Sequence, residues 1–151
     1  MHTETSTAPK KIIHTRFGEL EYDPDKTLLF PEGLLGFAAL RHFVVMPNQK
    51  NGPLFWIQST EDPEVAFVLT DPTNFFPTYQ VAPDKKDCQK LDIKPGGECF
   101  TLAVVTVHAD RQVTLNLQAP ILYAPSANRA LQVVLENSTY QVRTPLPEGK
   151  K

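Results

Sequence analysis

The most constraining feature of this chain is its fourteen prolines, spread through 151 residues. Each proline fixes φ near about −65° and removes an amide donor, so the interior of a long helix or a central strand excludes it. Here the prolines mostly stand between short apolar runs, a spacing that suits short strands joined by tight turns and leaves little room for long helices.

Alternation supports the same reading. Ile13, Thr15 and Phe17 share one strand parity, whereas Leu20 and Tyr22 share the other, and the phase slip near Gly18 predicts a bulge or sharp bend. Further strands are predicted at Thr27–Phe30, Phe43–Met46, Leu54–Gln58, Val65–Leu69, Phe100–Val107, Val113–Leu117, Ile121–Tyr123 and Leu131–Leu135. Leu102–Val107 is almost wholly apolar and reads as a central strand buried on both faces. In Leu131–Leu135 the odd positions form one predominantly buried face.

Three Asp-Pro pairs, Asp23-Pro24, Asp62-Pro63 and Asp71-Pro72, mark chain reversals, because the carboxylate accepts from a nearby amide while the proline bars a ladder bond. One helix is predicted from Lys85 to Ile93, with Asp84 as its N-cap, Cys88 and Leu91 on one face, and Lys94-Pro95-Gly96-Gly97 as its stop. Phe37–His42 could form a further turn or two of helix, of α or 3₁₀ type. The sequence thus predicts a mainly β, single-domain, small β-barrel-like fold of about nine short strands with one short helix. Residues 1–11 read as a flexible N-terminal tail, 12–147 as the barrel domain and 148–151 as a C-terminal tail.

A formal charge of −2, from 15 basic and 17 acidic side chains, supplies no long-range field toward phosphate backbones or anionic lipid. Charged residues interrupt every apolar run well short of the length needed to span a bilayer, and Met1–Lys11 is too polar for a secretory signal. The expected compartment is the cytoplasm. There, Cys88 and Cys99 are read as free thiols rather than a disulfide, although their spacing permits one.

The search for chemistry returns little. His2, His14, His42 and His108 are scattered without the spacing of a zinc site, and no metal or cofactor is expected. Neither a nucleophile elbow nor a phosphate-binding glycine loop occurs. Glu61, Asp62 and Glu64 read as a solvated turn around Pro63, and the sequon Asn137-Ser138-Thr139 carries no weight without a secretion signal. The rings Phe55, Trp56, Phe75, Phe76 and Tyr79 either cap a small barrel or form an exposed patch able to anchor a partner.

Ordered motifs between Thr15 and Leu146 carry a family resemblance. Phe17-Gly18-Glu19-Leu20-Glu21 and Phe30-Pro31-Glu32-Gly33-Leu34-Leu35-Gly36-Phe37 are followed by Phe55-Trp56-Ile57-Gln58-Ser59, Asp62-Pro63, Ala66-Phe67, Asp71-Pro72 and Phe75-Phe76-Pro77. The second half continues with Thr114-Leu115-Asn116-Leu117-Gln118-Ala119-Pro120-Ile121, Asn128-Arg129, Gln132-Val133-Val134-Leu135 and Tyr140-Gln141-Val142-Arg143-Thr144-Pro145-Leu146. This series resembles the FliW family of flagellar assembly factors.

The resemblance implies a compact β-barrel-like protein, monomeric when free and not an enzyme, that binds flagellin and the translational regulator CsrA. Antagonism of CsrA by partner exchange would then control flagellin translation. Members of the family tend to be more acidic than this chain, so local acids such as Glu61, Asp62 and Glu64 would supply the CsrA contact. Family-like motifs fall on Gln58, Ser59, Asp62, Pro63, Phe67, Asn116, Ala119 and Pro120. Of these, Gln58, Asp62 and Asn116 are the preferred partner-binding candidates, since polar groups have less to do in a core. Phe75, Phe76 and Tyr79 are the aromatic candidates.

Two rival readings remain at the level of sequence. An OB-like single-stranded nucleic-acid module would use Phe55, Trp56 and Phe76 for stacking, but Arg16, Arg41, Arg111, Arg129 and Arg143 are too dispersed for a basic track, and no direct nucleic-acid partner is expected. A small enzyme would have to assemble distant groups such as His108, Asp110 and Glu136.

Overall fold

The structure, a computed structural model, describes residues 10–15, 18–47, 54–136 and 139–147. Arg16, Phe17, Asn137, Ser138 and the spans read as tails, apart from Lys10 and Lys11, lie outside the described residues. Lys11 already belongs to a strand.

Strands β1 (Lys11–Thr15) and β2 (Gly18–Tyr22) form a separate antiparallel hairpin. Gly18, at φ +111°, pairs with Thr15. The phase slip therefore falls between two antiparallel strands, and strand parity restarts at Gly18.

The remaining strands are β3 (Leu28–Leu29), β4 (His42–Pro47), β5 (Leu54–Ser59), β6 (Ala66–Thr70), β7 (Phe100–Val107), β8 (Val113–Leu115), β9 (Ile121–Ala124), β10 (Arg129–Gln132) and β11 (Thr144–Pro145). Hydrogen bonding runs β7-β6-β5-β4-β3-β10-β9 and returns from β9 to β7, which closes a barrel. From β7 the sheet also continues outward through β8 to β11. Strand β7 can serve both circuits because it is eight residues long: Phe100–Leu102 pairs with β9, Val105–Val107 with β8, and Ala103–Val105 with β6 on its other side.

All links in the ring are antiparallel except one. Strands β3 and β10 run parallel and meet only at Leu29 and Arg129. Asn128 makes this seam. Its carbonyl accepts from the Leu29 amide at 3.1 Å, and its side-chain amide donates to the Thr27 carbonyl at 2.9 Å. Both bonds require the chain to turn at φ +53°, a left-handed conformation that asparagine tolerates better than most side chains.

Inside the barrel, Phe30 and Phe43 are fully buried with ring centroids 5.2 Å apart in an edge-to-face pair, and Ile57, Leu69 and Ile121 complete the core around them. A second cluster lies outside, where Tyr79 covers Ala103, Val105, Leu115 and Leu117. The helix α1 (Lys85–Leu91) seals a third patch by packing Leu91 on Leu122, Ala124 and Leu131.

A reciprocal capping box starts that helix: the Asp87 amide donates to Asp84 at 2.8 Å and the Asp84 amide to Asp87 at 3.0 Å. The helix ends earlier than the sequence predicts, at Asp92 in the left-handed region (φ +59°), before Lys94-Pro95-Gly96-Gly97 is reached. Cys88 is buried on its inner face, and Cys88 and Cys99 are both free thiols.

All three Asp-Pro pairs make the anticipated turn, with Asp23, Asp62 and Asp71 each accepting from the amide two residues on at 2.9–3.0 Å. The Phe37–His42 helix does not form. Phe37 instead folds back to bridge Leu34, and His42 opens β4. Gly33 enforces that fold-back: at φ +68°, a Cβ there would stand 2.6 Å from the Ala38 backbone.

If the seam depends on the backbone of Asn128, replacements should separate its two roles. Asn128→Gly keeps the turn but loses the side-chain bond, and should cost about 1 kcal/mol. Asn128→Ala adds left-handed strain and should cost about 1–2 kcal/mol more. Urea unfolding checks the order, and a glycine variant less stable than the alanine one would contradict it.

Candidate partner-binding surface

The residues singled out by sequence gather in two places rather than one. Gln58 and Asp62 lie where β5 turns into β6, whereas Phe75, Phe76, Tyr79 and Asn116 lie beside the β7–β8 extension. The first place is a tightly tied turn. Gln58 is fully buried, and its Nε2 faces the carbonyls of Ser59, Pro63 and Val65 at 3.0–3.2 Å. Its Oε1 is buried without a hydrogen-bond partner among the described residues. Ser59 Oγ accepts from the amides of Glu61 and Asp62 at 3.0 and 2.9 Å, and Asp62 accepts from Glu64.

Glu61 fastens this turn to β4. Its carboxylate accepts from the Arg41 and His42 amides at 2.7 and 3.1 Å and lies 3.3 Å from His42 Nδ1. Desolvation alone would raise the Glu61 carboxyl, but the amides of His42 and Arg41, aided by the His42 ring, outweigh it and hold the group below its ordinary value. The premise that these polar groups have little to do inside the protein thus fails here, because each secures a turn. Glu61 and Glu64 are both exposed and Asp62 is half-buried, so all three acids of this turn reach solvent, Glu61 while also tied to β4.

In the second place, the Asp71-Pro72 turn sets the aromatic segment. The amides of Phe75 and Phe76 both donate to the Pro72 carbonyl, and Tyr79 donates to Phe76, which folds the rings over the outer face of the sheet. Tyr79 is buried, with its hydroxyl donating to the Leu117 carbonyl at 2.7 Å and its ring 4.8 Å from that of Tyr140. Burial, with Tyr140 adding to it, pushes the Tyr79 phenol well above its ordinary range. Asn116 is half-buried and accepts from the Ala119 amide at 2.9 Å. Phe67 turns inward against Phe37 and Phe43, and Ala119 and Pro120 are buried.

Phe75 forms one wall of an apolar groove of about 220 Å³, with Leu54, Val107, Val113 and Leu146 around it and Val105 and Leu115 as its floor. The sequence reading missed the other walls. Val107 was expected to be buried on both faces, yet it is 65% exposed, because β6 stops pairing with β7 at Val105 while β7 runs on. Trp56, paired between Met46 and Val68, points away from the barrel interior that holds Phe55.

The groups of the rival enzyme reading do not converge. His108 and Asp110 share a recess at the β7–β8 turn, where His108 Nε2 bonds Thr114 Oγ1 at 2.8 Å, but Glu136 does not line it. No cluster of metal-ligating side chains occurs among the described residues.

These features define a small closed β-barrel with a two-strand extension and an apolar groove on its outer face. A family model described as FliW protein matches residues 11–146. The flagellar assembly factor FliW of Syntrophotalea carbinolica is 64% identical over 138 residues, covering 91% of this chain and 99% of the relative. FliW 2 of Desulfotalea psychrophila is 57% identical over 139 residues, covering 92% of each. A crystal structure of the flagellar assembly factor FliW superposes with a TM-score of 0.81 at 30% identity, covering 93% of this chain and all of the other. The chain belongs to the FliW family of flagellar assembly factors.

Two titrations test the geometry. Because the Glu61 carboxyl is depressed in the folded state, its ionised form contributes stability above the unfolded value of 4.5, and that contribution is lost as pH falls through the lower folded value. Glu61→Gln should therefore be less stable than the parent near neutrality and draw level with it on acidification, measured as chemical denaturation midpoints. Tyr79 has the opposite sign. Its raised phenol contributes stability below the unfolded value of 10.0 that is lost at higher pH, so one tyrosine should resist ionisation in an ultraviolet titration. Tyr79→Phe should remove that resistant signal.

Proposed function

We propose that this protein acts in the cytoplasm by binding other proteins rather than by catalysis, and that its two partners are flagellin and CsrA. Flagellin and CsrA compete for it, directly or through linkage. When flagellin no longer occupies the protein, CsrA is sequestered and flagellin translation proceeds. Family membership over residues 11–146 is the observation that carries this reading. Consistent with it, among the described residues no helix is long and apolar enough to cross a membrane.

The apolar groove beside Phe75 is the proposed site of a partner contact, because aromatic and aliphatic anchors supply most interface energy once water is excluded. Phe76, Tyr79 and Asn116 hold the segments that border it, while Asp62 and Glu64 offer a separate acidic contact at the β5–β6 turn. Gln58 shapes that turn from beneath.

A partner switch has a thermodynamic signature that simple co-binding lacks. Saturating flagellin should weaken the apparent CsrA affinity by about 5–150-fold, and reciprocity requires CsrA to weaken flagellin binding by the same factor. Titration calorimetry with CsrA, with and without excess cognate flagellin, measures it. Unchanged affinity in the second titration would end the switch reading. Val107→Asp, on the exposed rim of the groove, should weaken at least one partner by about tenfold or more; two unaltered affinities would move the contact elsewhere.

A further inference from the structure

Between Gly33 and Leu40 the chain runs for eight residues without one polar side chain, and five of them in a row, Leu35 to Ala39, are exposed. Scattered apolar side chains are ordinary on a protein surface, but an unbroken exposed run is a liability unless something covers it. The run is also held in one shape. Leu35 and Gly36 form the tip of a four-residue turn, closed by the Phe37 amide on the Leu34 carbonyl at 2.7 Å, with Gly36 at φ +82°. The Leu35 amide donates to Gln132 Oε1 at 2.8 Å, and Gln132 Nε2 donates to the Ala119 carbonyl at 2.9 Å. Beyond the tip, the Phe37 ring stands edge-on to Phe67 at 5.4 Å, and the Phe37 carbonyl accepts from the Leu40 amide. Leu35 nevertheless leaves 57% of its surface in water, and Phe37 39%. The fold thus presents a fixed, convex apolar knob whose tip adds little to the core.

The charges around the knob select its partner. Arg41 and His42, directly after the run, give their amides to Glu61, which brings the acidic β5–β6 turn against the end of the run. Glu61 and Glu64 are exposed and Asp62 half-buried, against one exposed guanidinium, Arg41, and the His42 ring beside Glu61. At the other end of the run, Glu32 and Lys90 pair at 3.0 Å and offset each other. We propose that the knob at Leu35 and Phe37 docks into an apolar recess of a folded protein partner, and that lysine or arginine side chains on the rim of that recess meet Glu61, Asp62 and Glu64. Because the turn is already fixed, docking orders little chain, and a compact contact suffices. An anionic membrane would be repelled by the same carboxylates, and a two-fold pairing of the knob with itself would gather both copies' acids around one apolar contact. The inference deepens the partner-switch reading and rests on it in one respect, that the partner is flagellin or CsrA.

Titration calorimetry of the full chain with each of the two proteins, at low and at high salt, tests the proposal. Leu35→Asp keeps the backbone amide bonded to Gln132 and should weaken one partner by about tenfold or more at both salt concentrations. Glu64→Lys, on the neighbouring turn, should weaken the same partner at low salt, and the loss should shrink as salt is raised. Urea midpoints show whether the variants fold; should Leu35→Asp not fold, Leu35→Ala should still weaken that partner severalfold. Unaltered affinities for both proteins in the folded variants overturn the inference and leave the partner-switch reading standing, whereas a parent protein that binds neither overturns both. Losses that fall on different partners overturn the joint surface, and tighter binding by Glu64→Lys overturns the basic rim. Self-association of the parent in sedimentation, or its binding to phosphatidylglycerol vesicles, overturns the choice of occupant if Leu35→Asp abolishes it, in favour of a second copy or a membrane.

Discussion

The barrel closes on a single residue pair. Strands β3 and β10 meet only at Leu29 and Arg129, and the turn at Asn128 brings them there. Every other link in the ring is an antiparallel ladder that a local hairpin or a longer connection can build without reference to the rest. The seam is different because it is parallel, long-range and short. Without it β3 and β10 would be free edges, the Phe30–Phe43 pair would face water on one side, and the helix α1 would cover a sheet with nothing behind it. Asn128 thus supports packing that it does not touch.

Much of this architecture was legible in the sequence, for identifiable reasons. Asp-Pro turns are local chemistry, and all three form through the same bond to the amide two residues on. The helix start was legible because a capping aspartate declares itself within four residues. Its stop was not, since Asp92 entered the left-handed region ahead of the glycines expected to do so. Strand β11 was invisible because Thr144–Pro145 has no alternation to read and exists only through its pairing with β8. The last predicted strand was displaced toward its N-terminus: β10 covers Arg129–Gln132, although Val133 and Leu135 still bond to the chain at Pro120 and Gln118.

The candidate surface was harder to read than the fold. A polar residue in an apolar run looks functional in one dimension, yet Gln58 serves three carbonyls of its own turn and Asn116 serves Ala119. Conversely, a valine at the end of a buried-looking strand looks like core, and Val107 is largely exposed. Sequence alone cannot distinguish these cases, because exposure at a strand end is decided by where the neighbouring strand stops. What periodicity did convey was the sidedness of Phe55 and Trp56, which adjacent positions in a strand must resolve in opposite directions.

The parallel seam also places a demand on synthesis. Leu29 emerges from the ribosome about one hundred residues ahead of Arg129, its partner in the seam. At roughly 5–20 residues per second, β3 waits some 5–20 s with one edge unsatisfied. A long apolar strand left open for that time would recruit other nascent chains. Here the waiting edge is only two residues long, with Pro31 two positions beyond Leu29. The brevity of β3, which makes the finished seam depend so heavily on one asparagine, also keeps the unfinished chain from offering its neighbours much to hold.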